Sequence, residues 1–168
     1  SETLTKLAFS HAKAAVERSG NQVYIAGSIG PSPGAIEADS GDTDFGIPNA
    51  DVRSAHELVV NALGEAGVDL FCIETMFSAK EAAIAVDVAR KTGIPIALNL
   101  TYKCTKDRQT GDVVYRTDWG HSASDLIEFL SGGEFSDGDN LLDYVHLLGL
   151  NCGAETKHVE HTGMPYAI

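Results

Sequence analysis

The chain has 168 residues, an apolar fraction of 43%, a formal net charge of −12 and a pI near 4.7. That charge argues against nucleic acid or an anionic membrane surface as a partner, because both are polyanions. No run approaches the roughly 18–20 apolar residues that span a bilayer, residues 1–6 carry no signal-peptide core, and the scattered Cys72, Cys104 and Cys152 make no disulfide framework, so a single domain in a reducing, cytoplasmic setting is expected.

Helical spacing of Leu4, Leu7, Ala8, His11, Ala14, Ala15 and Arg18 predicts a helix over residues 2–18, with Gly20 as its stop. Residues 23–26 read as a short apolar strand, followed by Gly27, Ser28, Ile29, Gly30 and Pro31. Residues 32–50, rich in Gly, Pro, Asp and Ser, predict a long irregular loop. In compact domains loops of that length commonly serve as lids or binding loops. Asp51 is placed to cap a helix running to about Ala66, and a strand over residues 70–73 closes on Glu74 and Thr75. Ser78 is the expected N-cap of a helix over 79–91, with Glu81 as the N3 partner of a capping box.

Residues 94–100 form the third predicted strand. Residues 101–121 read as an excursion, with turn chemistry at Thr110, Gly111 and Asp112 and a β-prone Val113, Val114 and Tyr115. Ser122 opens a short helix through Leu130, and a Gly- and Asp-rich stretch over 132–140 leads to an apolar run. That run, residues 144–152, reads as a buried strand that presents Asn151 and Cys152 at its end. Residues 154–161 are expected to be helical, and 163–168 to begin another strand.

Strands separated by helices imply right-handed βαβ units and a parallel sheet. The polar residues Ser28, Glu74, Asn99, Asn151 and Cys152 collect at strand ends, where parallel barrels and open α/β sheets place their chemistry. No Gly-x-Gly-x-x-Gly turn for a dinucleotide is present, since Gly27-Ser28-Ile29-Gly30 lacks the spacing and no helix follows it. On position alone Cys152 is either a small buried hydrophobe or a nucleophile or metal ligand. Cys72 reads as core, Cys104 as an incidental surface thiol, and His158 and His161 as surface positions on one helix face. A (β/α)8 barrel takes about 250 residues. This chain opens in a helix and stops as a strand starts, so it is expected to be one internal segment of a larger barrel.

Three strand ends together resemble the homocysteine S-methyltransferase family: Ala26-Gly27-Ser28-Ile29-Gly30-Pro31, Asp69-Leu70-Phe71-Cys72-Ile73-Glu74-Thr75, and Gly149-Leu150-Asn151-Cys152. The segment Glu81-Ala82-Ala83 also resembles the start of that family's fourth helix. The family includes betaine-dependent and S-methylmethionine-dependent enzymes and the homocysteine-binding module of cobalamin-dependent methionine synthase. The resemblance implies an α/β fold, a partial (β/α)8 TIM barrel holding strands three to six and the start of strand seven. It implies zinc held by three thiolates, with Cys152 as the first and an adjacent cysteine pair in a glycine-rich motif that this sequence does not reach. It makes Glu74 the acceptor of the homocysteine ammonium, and gives Asn151 and Ser28 the pocket floor or the amino acid's polar groups. No side chain is assigned a catalytic role.

The same resemblance implies methyl transfer to the homocysteine thiol to give methionine, with a methyl donor or corrinoid bound by a partner domain. The rest of the barrel, or a partner chain, would cover the open sheet edges. Two alternatives stay open. One is a corrinoid-linked methyltransferase with another donor or acceptor, selected by the 32–50 loop and the 101–121 excursion, where Trp119 and Tyr115 are candidates to pack against a cationic donor. The other is a non-catalytic half-barrel acting as a binding or assembly module.

Overall fold

In the computed structural model the described residues are 2–153. Helix α1 (Glu2–Ser19) precedes strand β1 (Ala26–Ile29), the short α2 (Glu37–Ser40) and α3 (Asn49–Ala66). Strand β2 (Leu70–Met76), α4 (Ala79–Arg90) and β3 (Ile96–Leu100) follow. A hairpin of β4 (Lys103–Lys106) and β5 (Val113–Arg116), then α5 (Ala123–Ser131), a 3-10 turn at Leu141–Tyr144 and β6 (Val145–Leu150) complete the order.

β1, β2, β3 and β6 form one parallel sheet in that spatial order, so successive major strands are neighbours. The order never reverses, as it would at the switch point of a doubly wound sheet. Winding in one direction is how a (β/α)8 barrel is built. The helices accordingly pack as one layer, α1 on α3, α3 on α4 and α4 on α5, with α4 seated over β2 and β3.

The two faces of the sheet differ in chemistry because side chains alternate along each strand. Phe71, Ile73, Ile96 and Leu98 are fully buried on the helix side. Each such side chain contributes roughly 1.5–3 kcal/mol by leaving water. Helix α4 is buried along almost its whole length, and its run of Ala79, Ala82, Ala83, Ala85 and Ala89 keeps it narrow between the sheet and its neighbouring helices. The other face carries Ser28, Cys72 and Ala97 in one register row, with Glu74, Asn99 and Gly149 further toward the strand ends.

A buried ion network ties the helices together. Arg53 of α3 donates to Asp87 of α4, and Arg90 donates to the same carboxylate at 2.8 Å. Arg90 also reaches Asp139 at 2.7 Å, which pins the Gly- and Asp-rich stretch to α4. The two cations hold the Asp87 carboxyl below its ordinary range against the opposing effect of burial.

Several boundaries differ from those expected. β1 covers Ala26–Ile29 rather than 23–26, leaving Val23 and Tyr24 exposed, because Gly27, Ser28 and Ile29 pair with Phe71, Cys72 and Ile73. The 32–50 stretch is not wholly irregular: Ile36 is fully buried and bridges to Ile47, and α2 lies between them. α3 starts at Asn49, with Pro48 before it, so Asp51 sits in the first turn rather than at the cap. Ser78 does cap α4, its Oγ accepting from the Glu81 N–H at 3.1 Å, but the Glu81 side chain is engaged elsewhere and closes no capping box. A capping box occurs instead at Ser122 and Asp125 of α5. β6 is not a buried strand. It lies at the sheet edge among the described residues, and Leu147 is 60% exposed. The expected helix over 154–161 with His158 and His161, and the strand start over 163–168, lie outside the described residues. No described helix is long and apolar enough to cross a membrane.

Candidate active site at the strand ends

Parallel pairing brings the carboxyl ends of β1, β2 and β6 to one end of the sheet, and the polar residues there form a connected network. Ser28 Oγ donates to Glu74 Oε1 at 2.5 Å. Asn151 Nδ2 donates to Glu74 Oε2 at 3.2 Å, so each carboxylate oxygen has one donor. The Asn151 amide also engages Thr75 twice, accepting from its N–H and donating to its Oγ1, both at 2.9 Å. The Asn151 backbone continues the ladder past β6, its N–H donating to the Leu100 carbonyl at 3.1 Å, while its own carbonyl accepts from Thr101 Oγ1 at 3.0 Å.

Cys152 follows directly, exposed and free, with Thr75 Oγ1 3.8 Å from its Sγ. Both Thr75 and Cys152 have left-handed backbone, φ 61° and 56°. A non-glycine residue there is uncommon, and a β-branched one is an outlier. Thr75 falls in a register irregularity of β2, which pairs again at Met76 with Leu100, whereas Cys152 lies just beyond the end of β6. Gly153 then lies against the Tyr102 backbone, where a Cβ would come within 2.2 Å of its carbonyl oxygen.

The four residues singled out in the sequence, Ser28, Glu74, Asn151 and Cys152, therefore fall in one neighbourhood, in which Asn151 joins Glu74 to Thr75 and Thr75 reaches Cys152. Thr75 and Thr101 carried no sequence signal of their own, because a threonine after a strand is unremarkable until its partner strand is known. Asn99, at the end of β3, does not join this network. Its Nδ2 donates to Cys72 Sγ at 3.5 Å, and its Oδ1 lies 2.4 Å from where a Cβ on Gly149 would sit. Cys72, expected to be plain core, is half-buried on the face that carries Glu74. Burial raises the Cys72 thiol pKa, the nearby Glu74 charge adds to this, and the Asn99 hydrogen bond opposes it. Cys104 is half-buried in the hairpin opposite Tyr115, and Trp119 lies in the turn before His121.

A second polar cluster lies under the loops that leave these strand ends. Buried Glu81 accepts at one carboxylate oxygen from the Ser32 N–H at 2.6 Å and is paired with His56 Nε2 at 3.1 Å. His121 Nδ1 accepts from the Ala79 N–H at 3.1 Å, and its Nε2 lies 3.6 Å from the buried Asp39 carboxylate. Lys80 Nζ donates to the Ala38 carbonyl at 2.6 Å. The N-terminus of α4 thus holds both the 32–50 loop and the end of the 101–121 excursion.

Among the described residues no group of three or more His, Cys, Asp or Glu side chains is placed to hold a metal ion. The exposed, unpaired Cys152 thiol suits a single zinc ligand, and a catalytic zinc takes three from the protein. The described residues fit a zinc site only as one contributor to it.

A family model described as homocysteine S-methyltransferase matches residues 1–163. No curated protein matches the chain. A similar solved structure is the homocysteine methyltransferase MmuM from Escherichia coli in its apo form, at TM-score 0.58 and 19% sequence identity. The likeness covers 92% of this chain and 52% of that one, so this chain spans about half the length of that structure. At that identity the likeness concerns the fold: an α/β chain with a parallel four-stranded sheet wound in one direction. With its family model matched over nearly its whole length, the chain belongs to the homocysteine S-methyltransferase family.

Proposed function

We propose that this chain supplies the homocysteine-binding part of a zinc-dependent S-methyltransferase, which moves a methyl group onto the homocysteine thiol to give methionine. The observation that carries the reading is the Glu74 carboxylate, held by Ser28 and Asn151 at the strand ends, with the next residue, Thr75, in contact with the Cys152 thiol.

Glu74 accepts the homocysteine ammonium. Ser28 and Asn151 occupy one site on each carboxylate oxygen and leave further lone pairs for the ligand. They also fix the carboxylate plane, so the ammonium is bound in one orientation and the thiol is directed toward the β6 end. Cys152 serves as one zinc ligand, with two further thiolates supplied from outside this segment. Zinc, when bound, favours the thiolate form of homocysteine at neutral pH, where the free thiol is mostly protonated. The methyl donor or a corrinoid is carried by a partner domain, and the 32–50 loop and the hairpin border its approach because both leave strand ends. The four parallel strands correspond to strands three to six of a (β/α)8 barrel whose remainder covers the β1 and β6 edges. A reducing, cytoplasmic compartment suits the free thiols.

The test is methionine formation from homocysteine by the full protein, with S-methylmethionine and betaine as alternative donors. Wild type forms methionine with one of them, and Glu74→Gln raises the KM for homocysteine by about 10-fold or more, the scale of one lost charge-assisted hydrogen bond. An unchanged KM in Glu74→Gln would remove Glu74 from the site.

A further inference from the structure

Three non-glycine residues among those described have positive φ, and two of them, Thr75 and Cys152, are in contact across the ends of β2 and β6. Left-handed backbone at a non-glycine residue costs of order 1–3 kcal/mol and persists only where surrounding structure holds it. At Thr75 the Asn151 amide and the Cys152 thiol hold it. Its N–H donates to Asn151 Oδ1, and its Oγ1 accepts from Asn151 Nδ2. With that acceptor site filled, the single hydroxyl proton of Thr75 points to Cys152 Sγ. Thr75 is also the residue directly after Glu74, so the same turn sets where the carboxylate stands.

We propose that Thr75 is the positioning residue of this site: its hydroxyl aims the Cys152 sulfur, and its amide locks Asn151 in the orientation that holds Glu74. The proposal rests on the reading of the strand ends as a zinc-thiolate methyl-transfer site. A hydroxyl donating to a ligating sulfur is an outer-shell contact of the kind whose loss lowers metal affinity by about 10–100-fold.

The experiment measures zinc affinity by competition with a chelator, thermal midpoint, and kcat and KM for homocysteine. It uses the full protein as wild type, Thr75→Val and Thr75→Ser. Valine keeps the β-branched shape and removes only the hydroxyl, whereas serine keeps the hydroxyl and removes the methyl. The expected result is a loss of zinc affinity of about 10-fold or more in Thr75→Val, with kcat falling further than KM rises, and recovery of zinc affinity in Thr75→Ser. Thr75→Ala provides the same comparison if the valine variant does not fold. Wild-type zinc affinity and kcat in Thr75→Val overturn the proposal while leaving the site reading intact. Equal losses in the serine and valine variants also overturn it, since they assign the effect to packing of the methyl group. A wild-type protein that binds no zinc and forms no methionine overturns the site reading, and this proposal with it.

Discussion

Asn151 grips Thr75 with both ends of its amide, Oδ1 accepting from the Thr75 N–H and Nδ2 donating to the Thr75 hydroxyl, each at 2.9 Å. The residues are 76 apart in sequence, so this pair joins the end of β2 to the end of β6 across β3. The same Nδ2 reaches Glu74 Oε2, which makes Asn151 the common partner of the two residues that follow Ile73. Asn151→Ala should lower stability by about 1–3 kcal/mol, the cost of leaving partly buried groups unpaired, and weaken homocysteine binding. Asn151→Asp should do worse, because it replaces the donor beside Glu74 with a second carboxylate. Urea denaturation and calorimetric titration with homocysteine check the order, and an aspartate variant that binds as well as wild type would contradict it.

Gly149 leaves room for the end of the Asn99 side chain. A Cβ there would lie 2.4 Å from Asn99 Oδ1. Gly149→Ala should turn the Asn99 amide aside, break its contact with Cys72 and cost about 0.5–1.5 kcal/mol, the value of a lost hydrogen bond. Asn99→Ala combined with Gly149→Ala should recover part of that loss. Thermal unfolding of the single and double variants measures the coupling, and simple additivity would contradict it.

Asp87 is almost fully buried between Arg53 and Arg90, with Lys91 at its edge. Removing it leaves two guanidinium groups without their shared partner. Asp87→Ala should cost about 3 kcal/mol, the low end for a broken buried pair, because Arg53 retains access to solvent. The folded pKa of Asp87 lies below its unfolded value, so its contribution is complete above the unfolded pKa of about 3.9 and is lost as pH falls through the folded value. Urea unfolding between pH 7 and pH 3 should show a shallower acid loss in the variant than in wild type.

His121 should report on the loops. Burial lowers its pKa most, and the Lys80 cation adds to this, while Asp39 and Asp125 oppose it. Its Nδ1 accepts a backbone N–H from Ala79, which an imidazolium could not do. Phe129 packs edge-on against the ring, and the buried Asp39 has its own pKa raised by burial, against the Ser78, His121 and Lys80 interactions. With a folded pKa below the unfolded value of about 6.5, the His121 contribution is complete above that value and is lost as pH falls through the folded pKa. Amide protection factors, with the intrinsic pH dependence of exchange divided out, should fall in residues 32–50 and 117–122 between pH 7.5 and pH 5 in wild type. In His121→Gln, whose amide oxygen accepts at every pH in that range, the fall should be smaller. Equal pH dependence in both proteins would contradict the role given to His121.

How much of this was legible in the sequence depends on whether a residue's partner is near or far along the chain. The cap at Ser78 and the helix start at Ser122 are local and legible directly, as is the alternation of helices and strands that yields the parallel sheet. The strand ends were also legible, because an apolar run that stops at Glu74, or at Asn151 and Cys152, marks itself. Glu81 was assigned to the wrong partner, since the N3 position predicts a local bond while burial directs the carboxylate to Ser32 and His56. Thr75 is legible only as the residue that closes an apolar run, because its role exists only once β2 and β6 stand on either side of β3. The edge position of β6 among the described residues is not legible from its own residues, as an apolar run looks the same whether or not its outer neighbour is present.

The zinc content of the full protein, purified under reducing conditions, decides whether Cys152 is a zinc thiolate next to the Glu74 network. Wild type should carry stoichiometric zinc, and Cys152→Ala should lose it while keeping a cooperative thermal transition. Undiminished zinc in a folded Cys152→Ala protein would contradict the account.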